Sequence, residues 1–194
     1  MWTWIWMGWA AAADPAADAP AAWWRGAWGL DPSRSDDPTE LVQRVALAPA
    51  ADGGGAGSQY APDGGQSNAE ESAQDAIYQT LSLLGRSGRV AFDPVDATTV
   101  AIDFGDGASL VRGSKWTKVI PETGDRYRLR IGVDDEVLVV ERRFKAMVLL
   151  ESWLPPAPDA DEAAARSRVV VVQIDGPTLR EPVEFRRIYR RLDD

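Results

Sequence analysis

Along the second half of the chain, apolar and polar residues alternate with a period of two. Val100, Ile102 and Phe104 fall opposite Thr99, Ala101 and Asp103, while Tyr127, Leu129 and Ile131 fall opposite Arg126, Arg128 and Arg130. Successive side chains of a strand point to opposite faces, so this spacing predicts half-buried antiparallel strands. Val137 to Val140 and Val169 to Val172 are unbroken apolar runs instead. They read as strands covered on both faces, with a helix over 69–84 as the candidate cover. Gly105-Asp106-Gly107, Gly124-Asp125 and Asp134-Asp135 punctuate the strands as hairpin turns would. From Arg89 to Leu192 the pattern gives about eight strands, interrupted by an acidic, Pro-rich loop after Pro155 that does not belong inside a sheet.

Before Arg89 the period is helical. Asp37-Pro38-Thr39-Glu40 has the form of a helix start, with Asp37 as cap and Pro38 at the first helical position, sending Leu41, Val42 and Val45 toward a core. Ala73, Ile77, Leu81 and Leu84 share one face of a second helix over 69–84, capped by Asn68 and ended by Gly85. Between the two helices, residues 50–68 are a Gly-rich flexible insert by composition. Trp28 and Leu30 share one face of an earlier strand that Asp31-Pro32 ends. Residues 23–194 thus form one mainly β domain, a small antiparallel up-and-down barrel or strongly curved meander with N-terminal helices packed against it. Closing the meander removes exposed edges.

Residues 1–22 are a Trp-rich apolar stretch followed by an Ala-rich one. The h-region and the small-residue cleavage site of a secretory signal are there, and the basic n-region is missing. Export to the periplasm or the outside is the expectation; a cytoplasmic protein with an accidental apolar leader is the alternative. The stretch is too short to span a bilayer as a helix, so no integral membrane span is expected.

Charge and missing residue types narrow the function. With Lys+Arg 21 against Asp+Glu 30, the net charge of -9 argues against a nucleic-acid partner. Arg186, Arg187, Arg190 and Arg191 crowd the C-terminus and leave room for a small anionic partner locally. The chain has no cysteine and no histidine, which removes disulfides, thiolate and imidazole metal sites, and Ser-His-Asp chemistry. No cofactor and no metal is expected. Two-carboxylate hydrolysis of the glycosidase type needs neither residue and stays open.

The candidate acids have plain readings. Asp103, Asp106, Asp134 and Asp135 fall at turns and read as solvated turn acids. Asp103-Phe104-Gly105 lacks every accompanying kinase signature and is a chance match. Ser114 and Lys115 are adjacent, which in a strand sends them to opposite faces and works against a Ser-Lys dyad. Arg126, Arg128 and Arg130 form a face that reads as solvated and paired with neighbouring acids such as Glu141 or Glu184.

Gly26-Ala27-Trp28 resembles the Gly-x-Trp opening of lipocalin-like barrels. Trp28-Gly29-Leu30-Asp31-Pro32-Ser33-Arg34-Ser35-Asp36-Asp37-Pro38 is similar to the opening of uncharacterised exported bacterial proteins of lipocalin-like type, and Phe185 to Arg191 fits their aromatic, basic last strand. The resemblance implies that Trp28 closes one end of the barrel against an arginine of the last strand, Arg186, Arg187 or Arg190. It also implies an interior ligand cavity, for which Trp28, Trp116, Tyr127 and Phe144 are the cavity or rim candidates. The expected function is that of a non-enzymatic exported protein binding a small apolar ligand or a protein partner. The alternatives are a carboxylate-pair hydrolase and a structural or interaction domain with a filled core. Oligomeric state is not legible in the sequence.

Overall fold

Ten antiparallel strands form a single sheet in the order β4-β3-β2-β1-β10-β9-β8-β7-β6-β5, so sequence neighbours pair everywhere except between β4 and β5, and the last strand pairs with the first. The strands are β1 (Gly26–Leu30), β2 (Arg89–Asp96), β3 (Thr99–Asp103), β4 (Ala108–Arg112), β5 (Thr117–Val119), β6 (Tyr127–Asp134), β7 (Val137–Arg143), β8 (Val148–Trp153), β9 (Ser167–Asp175) and β10 (Val183–Arg191). Helix α1 (Pro38–Leu47) lies between β1 and β2, and the short α2 (Glu162–Ala165) between β8 and β9. The edges β4 and β5 lie beside each other without a ladder, leaving an up-and-down barrel that is nearly closed.

This computed structural model describes residues 23–47, Tyr78, Leu81, Ser82, Leu84, 88–96, 98–105, 107–121, 126–144, 147–176, Leu179 and 181–192. The leader over 1–22, the Gly-rich insert over 50–68, most of the helix expected over 69–84, Asp106 and the Gly124-Asp125 turn lie outside the described residues.

The mainly β, up-and-down expectation holds, with nine strands rather than about eight from Arg89 onward. Period two decides the core: Val100 and Ile102, Leu129 and Ile131, and Val170, Val172 and Ile174 are fully buried and face the barrel axis. The two apolar runs are corrected by the same geometry. Leu138, Val140, Val170 and Val172 are buried, but Val137, Val139 and Val171 are only half-buried and Val169 is exposed, so these strands have an inner and an outer face. Valine's fit to a pleated surface, rather than a covering helix, accounts for the runs.

The opening segment has a structural purpose. Gly26 starts β1 at φ 111, a conformation that disfavours any side chain. Once β1 ends, residues 31–36 continue along β10. The N–H groups of Asp31 and Asp36 donate to the carbonyls of Ile188 and Arg186. In return the Ser35 hydroxyl accepts from the Ile188 N–H and the Asp36 carboxylate from the Arg186 N–H. Short polar side chains thus stand in for the strand that is missing there. Asp37 then caps α1 by accepting from the Thr39 N–H at 2.8 Å, and Val42 is fully buried beneath it.

The β6–β7 turn differs by one residue from the expected Asp134-Asp135. Asp134 pairs with Val137, and the two loop residues are Asp135 and Glu136, at φ 45 and 68. Both carry positive φ, as a two-residue hairpin with the right-handed twist requires.

Candidate functional site

One end of the barrel is closed by aromatic side chains. Trp28 from β1, Phe92 from β2 and Trp153 from β8 are buried on inner faces, with ring centroids 6.4 Å apart for Trp28 and Trp153 and 5.1 Å for Phe92 and Trp153. Trp24 packs edge-on against Phe92, and its carbonyl accepts from the Trp28 indole N–H at 2.8 Å. Trp28 is fully buried within this group of rings. The arginines against it are not those the resemblance implied. The Arg168 guanidinium of β9 sits 4.7 Å from the Trp28 ring centroid and Arg191 sits 5.8 Å away.

Arg168 is buried by the connection it spans, donating to the carbonyls of Ala165, Ser167 and Trp23 at 2.6 to 3.0 Å. Burial, then the charge of Arg191, lowers the pKa of its guanidinium. Register gives the reason for the correction. Arg186 and Arg190 point outward from β10, Arg190 pairing with Asp31, while Arg187 points inward farther along the axis.

Beyond the aromatic end lies a polar layer inside the barrel. Arg142 of β7 donates to Glu151 of β8 at 3.0 Å, both buried. Arg187 and Tyr189 of β10 face the same interior. The Arg187 guanidinium donates to the Tyr189 hydroxyl at 3.3 Å and to the Leu84 carbonyl at 2.8 Å. Arg187 is 3% exposed, yet among the described residues no carboxylate pairs with it. Burial, then the nearby Glu151 charge, pushes the Tyr189 phenol up, partly offset by Arg187 and Arg142. Tyr189 stacks on Trp153 at 4.8 Å, which joins this layer to the aromatic end. Among the described residues, Oε2 of Glu151 and Nε1 of Trp153 are among the buried atoms here that find no hydrogen-bond partner.

At the opposite end, Tyr127 and Phe144 face inward with ring centroids 5.2 Å apart, and the Arg142 guanidinium sits 4.2 Å from the Phe104 ring centroid. Tyr127 and Phe144 thus line the interior end that lies away from Trp28. Trp116 does not. It precedes β5 on the face shared with Lys118, outside the barrel, and the guanidiniums of Arg130 and Arg143 lie 4.5 and 4.8 Å from its ring centroid. It is removed from the interior candidates for that reason. Arg130 binds Glu141, whose other oxygen accepts from Arg143 at 3.0 Å.

The remaining acids keep their plain readings. Asp103 Oδ1 accepts from the N–H groups of Gly105 and Gly107 and so builds the β3–β4 turn. Among the described residues, Glu151 is the one carboxylate on an inner face, and its partner is Arg142. A two-carboxylate hydrolase needs a second acid across from the first, and among the described residues none stands there. No group of three or more described acids could hold a metal ion, and no described helix is long and apolar enough to cross a membrane.

No family model and no curated protein matches the sequence. Among solved structures, a secretory abundant heat soluble protein of Ramazzottius varieornatus aligns at TM-score 0.49 and 9% identity, over 88% of this chain and 96% of that one. Fatty-acid-binding protein 1 of Echinococcus granulosus aligns at TM-score 0.49 and 10% identity, over 88% and 98%. Lipid binding protein 8 of Caenorhabditis elegans aligns at TM-score 0.46 and 11% identity, over 88% and 96%. What the site does has to be read from its own residues.

The signal for Arg187 and Tyr189 was present in the sequence. Phe185, Arg187 and Tyr189 alternate with Arg186, Ile188 and Arg190, so burying the two aromatics carries Arg187 inside with them.

Proposed function

We propose that the barrel binds a small, mainly apolar ligand through an acidic group, which Arg187 and Tyr189 hold inside the barrel. The observation that carries this reading is the burial of Arg187 without a carboxylate. An isolated buried guanidinium costs several kcal/mol, and two hydrogen bonds to neutral oxygens offset only part of that. Arg142 has Glu151; within this layer the guanidiniums of Arg142 and Arg187 face one carboxylate among the described residues, leaving Arg187 a positive charge for a ligand to neutralise. A ligand carboxylate would take charge-assisted hydrogen bonds from Arg187 and from the Tyr189 hydroxyl. Val170 stands opposite Arg187 and Val172 opposite Phe185 on the neighbouring strand, and these packed apolar side chains would have to give way to the rest of such a molecule. Fatty acid or lipid binding appears in the names of several proteins of similar architecture, and an alkyl carboxylate is the natural probe.

The test compares a long-chain alkyl carboxylate with the primary alcohol of the same length, each displacing a fluorescent apolar probe from the full chain. The carboxylate is expected to bind at least about tenfold tighter, the value of one charge-assisted hydrogen bond. Equal affinities would remove Arg187 from the reading.

A second reading has its own observation. Leu129, Ile131, Leu138, Val140, Val170 and Val172 have no accessible surface at all, as in a barrel filled by its own side chains. That favours a structural or interaction domain, and failure of both probes to bind would select it.

A further inference from the structure

The outer face of the barrel at its open seam carries a charge distribution unlike the rest of this acidic chain. On β4 to β7 the outward residues include Arg112, Lys118, Arg128, Arg130 and Arg143, with Lys115 and Arg126 flanking them. The outward acids on those strands, among the described residues, are Asp134 and Glu141, with Asp135 and Glu136 in the β6–β7 turn away from the Lys118–Arg128–Arg143 row, and Glu141 is already held by Arg130 and Arg143. Lys118 stands directly opposite Arg128, and Arg128 directly opposite Arg143, three cations in one cross-strand row. Like charges placed directly opposite destabilise a sheet, and among the described residues no ion pair relieves Lys118 or Arg128.

Two aliphatic side chains flank this row. Leu110 of β4 is 61% exposed and Ile120, just past β5, is 62% exposed. Leu110 lies on one of the two edge strands that meet at the seam, and Ile120 directly follows the other.

We infer that this face docks on an anionic lipid surface, with the Lys118–Arg128–Arg143 row meeting the head groups and Leu110 and Ile120 entering the interface. Charge complementarity argues for an anionic partner: each Lys or Arg near such a surface contributes on the order of 1 kcal/mol. The exposed aliphatics argue for lipid over another polyanion, because a nucleic acid or an acidic protein tail offers them little apolar surface to bury, whereas the acyl boundary does. The half-buried Trp116, held beneath Arg130 and Arg143, keeps that part of the face flat and aromatic. This surface lies on the opposite side of the sheet from the interior layer and does not depend on a ligand there.

The test is co-sedimentation of the full chain with phosphatidylcholine vesicles, with and without phosphatidylserine, at low and high salt. Binding is expected only with phosphatidylserine and is expected to fall with salt. Lys118→Glu with Arg128→Glu should weaken it by at least about tenfold, from the per-residue value above. Leu110→Ser with Ile120→Ser should weaken it several-fold at unchanged salt dependence. All four positions are exposed, and Lys118→Gln with Arg128→Gln, checked by circular dichroism, covers the case in which charge reversal disturbs the fold. Binding that survives the charge variants, or that is the same without phosphatidylserine, overturns the inference. So does equal binding to heparin that is indifferent to the Leu110 and Ile120 changes, which would mark a general polyanion surface instead.

Discussion

The Arg168 guanidinium lies 4.7 Å from the centroid of the Trp28 ring, and the same guanidinium donates to three main-chain carbonyls from two separate segments. One side chain thereby ties β9, the connection that precedes it and the chain ahead of β1 to the aromatic end of the barrel. The cation-π contact contributes on the order of 1 kcal/mol, so the carbonyls carry more of the effect.

Replacing Arg168 with Leu leaves three carbonyls without their donor and is expected to cost about 3 kcal/mol. Urea unfolding followed by tryptophan fluorescence measures it. Arg168→Lys keeps the charge without the planar fork and should recover only part of the loss. A midpoint unchanged in both variants would show that the aromatic packing alone closes this end.

Asp31 links the opening segment to β10. Its carboxyl is held below the usual carboxylate range, first by the Ser33 hydroxyl, with Arg190 adding to the effect and partial burial opposing it. A carboxyl whose pKa is lower folded than unfolded binds more protons when unfolded. Its stabilisation is full above its unfolded value near 3.8 and is lost as pH falls through the folded one. Asp31→Asn should therefore be less stable than the parent at pH 7, and the gap should narrow as pH drops below about 4. A gap that stays constant with pH would mean that the carboxylate's charge contributes nothing.

Tyr189 gives the opposite sign. Its phenol is raised from 10.0 by burial, so the folded state holds its proton where the unfolded chain releases it. Stability should fall as pH rises above about 10, and Tyr189→Phe should flatten that decline. Parallel alkaline unfolding curves for the two proteins would contradict this placement of the hydroxyl.

The β6–β7 turn carries two side chains in left-handed backbone. Asp135→Asn with Glu136→Gly supplies the residues that such a turn prefers, and the pair is expected to stabilise by about 1 kcal/mol. Thermal unfolding checks it, with an increase of several degrees expected for a domain of this size. A decrease would place the turn in another register.

The legible parts of the fold were those written in local spacing. Period two separated Tyr127, Leu129 and Ile131 from their arginine neighbours, and Asp37-Pro38 marked the start of α1, because strand alternation and helix capping act over a few residues. What the sequence did not reveal depends on register across strands. Trp116 looked like a rim residue until pairing of β5 with β6 put it outside, beside Arg130. Arg168 lies in a segment that reads only as a valine-rich strand, and its role comes from reaching across the end of the barrel to Trp23 and Trp28. The fold also moved the β6–β7 turn by a single residue, a shift that composition cannot resolve when Asp134, Asp135 and Glu136 are all acidic.

Whether Arg187 holds the acidic group of a ligand inside the barrel is decided by calorimetric titration of a long-chain alkyl carboxylate into the full chain and into Arg187→Gln, with Tyr189→Phe as the partner variant. Binding to the parent with a loss of at least about tenfold in Arg187→Gln, and a smaller loss in Tyr189→Phe, is the expected result. Equal affinity of the parent and Arg187→Gln, in variants shown to be folded, would contradict it.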